Sequence, residues 1–398
     1  MNKQIQNLYL KAEKKERLII GLMSGTSMDG LDIALCQVSG SGAETNIKVL
    51  KFKTGDFTAD FRSKVKAVFS KRDVDLQLVC LMNELIAETH ATLINAALKE
   101  WGYKNEDIDF IASHGQTIFH APKSLHKMDV YPNGTLQIGD GDHIAVKTGI
   151  ITFSDFRQKH LAAGGEGAPL AVYGDYLIFS KKAEDRVMLN IGGIANFTYL
   201  PGNLNAAEIF STDVGPGNTI MDQFMQQHFN QFYDRNGAVA LSGNLNQDLL
   251  NALLVNEFFE ADFPKTTGPE LFNLNYLATA QKTSATENIN PKDVMATLCH
   301  FSATTIADAV KKCFGTAARA KIFMSGGGMH NPLLVRLLKE VLPQSQFATT
   351  ADLGIHPDAK EAVLFAVLAN ESICGAPINF GGRKGVPSVC MGKISLPE

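Results

Sequence analysis

The chain has 398 residues, of which 45% are apolar and 20% charged, and its formal net charge is -4. This is an ordinary globular composition with apolar side chains enough for more than one core, and it lacks the basic footprint that a nucleic-acid partner requires. The six cysteines, at positions 36, 80, 299, 313, 374 and 390, form no CxxC pair and have no His/Cys cluster beside them, so neither a disulfide framework nor a zinc site is indicated.

In chain order, residues 1–17 are polar and mixed in charge and lack the apolar stretch of a secretory signal. No apolar run approaches the roughly 18 residues of a membrane span, and the expectation is a soluble, cytoplasmic protein. The β-rich run Leu18-Ile-Ile-Gly-Leu-Met23 leads into Ser24-Gly25-Thr26-Ser27-Met28-Asp29-Gly30 and then Leu31-Asp-Ile-Ala-Leu-Cys-Gln-Val38, a strand, a tight turn and a strand. Leu76 to Trp101 has apolar positions at helical spacing. About one domain length after the first hairpin, the pattern returns as Val187-Met-Leu-Asn-Ile191, Gly192-Gly193 and Ile194-Ala-Asn-Phe-Thr-Tyr-Leu200. Helical spacing recurs over Ala296 to Phe314. A third glycine cluster, Ser325-Gly326-Gly327-Gly328, follows the strand-like Lys321-Ile-Phe-Met324, and Asn331-Pro332 opens a helix with Leu333, Leu334, Leu337, Leu338 and Val341 on its apolar side. Pro357 and Ala359 to Ala369 form a last helical pattern. Helices alternating with β-runs indicate α/β layers.

Three glycine turns at the ends of strands suit a nucleotide site, because a residue without Cβ lets backbone N–H groups approach phosphate oxygens. The hydroxyls of Ser24, Thr26 and Ser27 add donors, whereas neither GxxxxGK[ST] nor a GxGxxG that follows a strand occurs.

Gly21-Leu-Met-Ser-Gly-Thr-Ser-Met-Asp-Gly-Leu-Asp32 resembles the first phosphate hairpin of the anhydro-N-acetylmuramic acid kinases, a family of the actin, Hsp70 and sugar kinase superfamily. Further matching runs are Ser113-His-Gly-Gln-Thr-Ile-Phe-His-Ala-Pro122, Leu136-Gln-Ile-Gly-Asp140, Asp155-Phe-Arg157, Gly167-Ala-Pro-Leu170, Leu189-Asn-Ile-Gly-Gly-Ile-Ala-Asn196, Gly215-Pro-Gly-Asn218 and Pro264-Lys-Thr-Thr-Gly268. The resemblance implies a two-lobed, actin-like ATPase fold, a duplicated ribonuclease H-like α/β architecture with an interlobe active-site cleft. Lobe I would comprise 18–165 completed by 355–398, and lobe II 166–354. It also implies ATP-dependent conversion of 1,6-anhydro-N-acetylmuramic acid and water to N-acetylmuramic acid 6-phosphate in cell-wall recycling, by a homodimer.

By the same resemblance, Gly25, Thr26, Ser27, Met28, Asp29, Gly30, Leu31 and Asp32 hold the phosphates, Gly192 and Gly193 form the second phosphate turn, and Gly326, Gly327 and Gly328 lie against the adenosine. Asp29 and Asp32 are the Mg²⁺ candidates, through water, with turn capping as their ordinary alternative. His114, Gln116, His120 and Asp140 are the sugar candidates, and Glu361 is a catalytic candidate from the first turns of its helix. Where the family pattern implies an aspartate as the base for water, this chain has His160, and where it implies glutamine the chain has Glu166. A neutral imidazole oriented by Glu166 would serve as base and lose activity below about pH 6.5. The alternatives are a catalytically impaired nucleotide-binding homologue and a kinase for a different amino sugar. An ATP-driven switch or a sugar-responsive repressor is the reading from another class, and residues 1–17 leave no room for a helix-turn-helix.

Overall fold

The computed structural model describes residues 2–25, 28–315, 319–383 and 385–398. In chain order its strands are β1 (Glu16–Ser24), β2 (Gly30–Ser39), β3 (Asn46–Asp56), β4 (Phe110–Ala121), β5 (Gly134–Ile138), β6 (Thr152–Ser154), β7 (Arg186–Ile191), β8 (Ile194–Leu200), β9 (Phe210–Pro216), β10 (Lys321–Ser325), β11 (Gln346–Thr349) and β12 (Lys393–Ser395). The chain divides into two units. One holds the residues up to Ser180 with Leu204–Glu208 and Gly354–Glu398, and the other holds Lys181–Asn203 and Ile209–Leu353.

Each unit carries one sheet, and the two sheets share a topology. In the first unit β1 pairs antiparallel with β2 and β2 with β3, while β4 lies parallel to β1 and β6 parallel to β4. In the second, β7 pairs antiparallel with β8 and β8 with β9, while β10 lies parallel to β7 and β11 parallel to β10. The spatial order is β3-β2-β1-β4-β6 in the first sheet and β9-β8-β7-β10-β11 in the second. A meander followed by parallel strands added on its far side is the duplicated α/β architecture expected from the sequence. The first unit adds β12 beside β6 and β5 beside β4.

Burial explains the local choices. The helix Leu76–Trp101 begins where the Asp75 carboxylate accepts the Gln77 N–H at 2.8 Å and ends at Gly102, whose φ of 78° only glycine adopts without strain. It covers a core that includes Ile20, Leu22, Met28, Leu31, Ile33, Ile86, Ile94 and Leu98. The helix Lys360–Cys374 lies so flat on β1 that a Cβ at Gly21 would overlap the Ala362 carbonyl. In the second unit the helix Pro291–Phe314 is buried on most of its faces, with Leu298, Phe301 and Ile306 in one core with Val187, Leu189, Phe197 and Leu334.

One expectation differs from the structure. The first division falls after Ser180 rather than after position 165, because the helix Ala171–Phe179 packs on Lys360–Cys374. Residues 3–12 form a helix, Lys3–Ala12, with Ile5, Leu8, Tyr9 and Ala12 at helical spacing. Asn2 caps its start, and the Lys11 ammonium donates to the carbonyls of Ile108 at 2.9 Å and Asp109 at 3.1 Å.

Candidate active site

In the first unit, β1 ends at Ser24, and β2 begins at Gly30. Thr26 and Ser27 lie outside the described residues. The rest of the turn is fastened from three directions. Met28, with φ of 58°, drives its side chain into the core and donates its N–H to the Gly25 carbonyl at 3.3 Å. The Ser24 hydroxyl donates to the Gln116 Oε1 at 2.5 Å, and the Gln116 Nε2 donates to the carbonyls of Gly25 at 3.4 Å and Thr117 at 3.2 Å. The Phe57 N–H donates to the Asp29 carbonyl at 3.1 Å. Gln116 therefore shapes the turn with an amide that is fully engaged, and it has no donor left to offer a sugar. Leu31 is buried in the core, and Gly30 is required where a Cβ would meet the Gly55 carbonyl oxygen at 2.7 Å.

Asp29 is exposed. Asp32 is half-buried on β2 and accepts from the Thr54 hydroxyl at 2.5 Å. Loss of solvent raises its carboxyl pKa, the Thr54 bond lowers it, and the Asp358 charge raises it further. Among the described residues no three His, Cys, Asp or Glu side chains are grouped as a metal site.

In the second unit, the Gly192-Gly193 turn between β7 and β8 receives the segment that follows β9. The Gly193 carbonyl accepts from Gly217 N–H at 2.8 Å and Thr219 N–H at 3.0 Å, and the Gly192 carbonyl accepts from Asn218 N–H at 2.9 Å. The third glycine turn sits at the same end of the sheet. At Gly326, with φ of 82°, a Cβ would meet Asn190 Oδ1 and the Ile191 carbonyl oxygen at 2.7 Å. At Gly328 it would overlap the Ile191 side chain, and at Gly193 it would meet the Thr219 hydroxyl at 2.6 Å. Only at Gly192 and Gly327, within these two turns, is the space open, with nearest atoms at 3.6 Å and 3.9 Å. Asn190 and Asn218, which no motif singles out, flank the turn, the latter donating from Nδ2 to the Ile191 carbonyl at 3.3 Å. Beside them the helix Pro332–Val341 starts under the Asn331 cap, which accepts from Leu333 N–H at 3.1 Å and Leu334 N–H at 3.2 Å.

The remaining candidates belong to the first unit, where Arg157 of the Asp155-Phe-Arg157 run bonds to His114 and to Gly167. Its Nε donates to His114 Nε2 at 2.9 Å, and its Nη1 donates to the Gly167 carbonyl at 2.6 Å. The other ring nitrogen of His114, Nδ1, donates to the Gly115 carbonyl at 2.9 Å, which fixes a neutral tautomer. Burial and the Arg157 charge push the His114 pKa down to about 3. His114 is thus a buried acceptor for Arg157. Asp140 is exposed, caps the helix Gly141–Thr148 through the Asp142 N–H at 2.8 Å, and shares with His114 and Asp155 the wall of a polar recess of about 290 Å³.

His120 is exposed at the end of β4, its pKa lowered by partial burial and by Arg157 and raised by Glu166. Glu361 is reached by solvent at the first turn of its helix. Its carboxyl pKa is raised by partial desolvation, lowered by Arg157 and Lys360 and raised again by Asp32. Arg157 thus interacts with both Glu361 and His120, Glu361 in turn with Asp32, and His120 with Glu166.

His160 is not open to this cluster. Its ring is fully buried, edge-on to Tyr173 with centroids 5.6 Å apart. Nδ1 accepts the Gly167 N–H at 3.0 Å, so the proton of the neutral ring sits on Nε2, which has no partner. Burial, then Arg157, lowers its pKa to about 4. The imidazole has no free lone pair for water, and the contact to it comes from Gly167 and not from the Glu166 carboxylate. This corrects the expectation of a histidine base oriented by Glu166.

The sequence profile of the anhydro-N-acetylmuramic acid kinase family matches residues 17–395, which include every turn and side chain above. The chain is 53% identical over 401 aligned positions to the anhydro-N-acetylmuramic acid kinase of Pseudoalteromonas atlantica, with 100% of both chains covered. It is 51% identical to that of Pseudoalteromonas translucida, again with 100% of both covered. It is 39% identical to that of Caldanaerobacter subterraneus, covering 96% of this chain and 98% of the relative.

Proposed function

We propose that this chain, which belongs to the anhydro-N-acetylmuramic acid kinase family, uses ATP to phosphorylate O6 of 1,6-anhydro-N-acetylmuramic acid while water opens the anhydro bridge. It is a kinase, and its product, N-acetylmuramic acid 6-phosphate, enters cell-wall recycling. The observation that carries the reading is a full-length family match in which both glycine hairpins, the third glycine turn and the Arg157 cluster fall inside the matched span.

The parts of the chain divide the work. The β1–β2 turn, held by Met28 and Gln116, offers backbone donors to phosphate oxygens, and so does the Gly192 turn, whose open glycine admits a close approach. The open Gly327 turn suits the adenosine. Asp32, steadied by Thr54, and Asp29 would hold Mg²⁺ through water, and the ion would offset the charge of the phosphates. Arg157, fixed by His114 and the Gly167 carbonyl, supplies positive charge on the sugar side beside Glu361. With this reading go a cytoplasmic location and a homodimer, which cell fractionation and light scattering test.

The decisive assay measures ADP release with and without 1,6-anhydro-N-acetylmuramic acid and identifies the sugar product by mass. Sugar-dependent ADP release with a product that has gained both water and a phosphoryl group is expected. ADP release indifferent to the sugar, or a phosphorylated product with its anhydro bridge intact, would overturn the reading.

A further inference from the structure

Opening the bridge requires a base for the attacking water, and the geometry points to Glu166 as that base, with His160 as the buried residue that positions it; the inference rests on the proposed reaction. Glu166 is exposed, but the glycines on either side of it are buried and tied down. On one side the Gly165 N–H donates to the His160 carbonyl at 2.9 Å, the Asn133 Nδ2 donates to the Gly165 carbonyl at 3.0 Å, and a Cβ at Gly165 would overlap the His160 ring. On the other side Gly167 gives its N–H to His160 Nδ1 and its carbonyl to Arg157. Two residues of one helix, Arg157 and His160, thus clamp both polar groups of Gly167, and the carboxylate next to it is the free end of a rigid loop.

The titratable group within electrostatic reach of this carboxylate is His120 on β4, which also feels the charge of Arg157 on the helix Phe156–Ala162. Glu361 is the other carboxylate of the cluster, but its coupling to Lys360 and Asp32 places it toward the phosphate turn. In the step, Glu166 takes a proton from water as the water oxygen bonds to C1. The C1–O6 bond breaks with its electron pair on O6, O6 bonds to the γ-phosphorus, and the pair of the broken phosphoanhydride bond leaves on ADP. The proton on Glu166 then returns to solvent.

The test compares the full-length wild type with Glu166→Gln, Glu166→Asp and Glu361→Gln, measuring kcat, the KM for ATP, and transfer of ¹⁸O from labelled water to C1 of the product. Glu166→Gln should lower kcat and ¹⁸O transfer together by about 10²- to 10⁴-fold with KM for ATP unchanged. Glu166→Asp should retain a measurable part of the rate. The site is exposed, so thermal unfolding should match the wild type. Glu166→Gln with kcat within about threefold of wild type, far short of a lost general base, overturns the assignment. So does a loss confined to Glu361→Gln. A wild type with no sugar-dependent turnover instead sinks the proposed reaction, and the assignment with it.

Discussion

Acid should destabilise the first unit largely through three histidines that it buries uncharged. His90, in the helix Leu76–Trp101, has neither ring nitrogen bonded and stacks on Phe57 at 6.1 Å, and burial lowers its pKa to about 4. His160 is likewise lowered to about 4, and His114 to about 3. An unfolded imidazole titrates near 6.5. Between 6.5 and these folded values the unfolded chain binds more protons, so stability is whole above about pH 6.5 and falls as the pH drops through the window. At pH 5 each ring costs about 2 kcal/mol, and the three together about 6 kcal/mol, a large part of the roughly 5–15 kcal/mol that holds a domain folded. Asp32, Glu361 and Glu371, whose pKa values are raised mainly by desolvation, oppose this trend, so the histidine contribution is isolated by difference. Trp101 is the one tryptophan of the sequence and packs against the core of the first unit, so its fluorescence follows the unit that contains all three rings. Urea unfolding at pH 8 and pH 5 should show His90→Leu losing about 2 kcal/mol less than wild type between the two pH values. Equal losses in the two proteins would refute the assignment of a buried, neutral His90.

Three further outcomes follow from the geometry. Gly327→Val should leave thermal stability nearly unchanged, since the site is open, but weaken ATP binding in calorimetry by at least about tenfold, or roughly 1.4 kcal/mol; unchanged affinity would remove this turn from the nucleotide site. Gly21→Val should cost about 3 kcal/mol or more and lower expression of folded protein, because its side chain would press into the Ala362 backbone. His160→Ala should cost about 2–4 kcal/mol by stranding the Gly167 N–H and opening a cavity, and should lower kcat with little change in KM for ATP, whereas His160→Asn should recover part of both. Wild-type activity should not decline through pH 6.5 on account of His160, whose ring is already neutral well below that value; a decline there that His160→Asn abolishes would count against its burial.

What was legible in the sequence is what neighbours in the chain decide. The paired hairpins, the third glycine turn and the helix Leu76–Trp101 announce themselves through apolar periodicity and turn residues, and each forms within a residue or two of where the pattern places it. Glycine is where local reading stops, because a residue without Cβ is spelled the same whether a phosphate or another backbone needs the space. Within the matched runs, Gly21 and Gly30 yield room to Ala362 and Gly55, and Gly326 and Gly328 to Asn190 and Ile191, while Gly192 and Gly327 face open space. The histidine and carboxylate in the segment after β6 pose the same problem in sharper form. Read along the chain, His160 and Glu166 are two polar residues of equal chemical promise. Only the fold buries one with its single lone pair spent on Gly167 and leaves the other at the tip of the loop that this bond makes rigid. A base must reach water, and a positioning residue must be shielded from it. That difference in exposure, which the five intervening positions give no hint of, assigns the two roles.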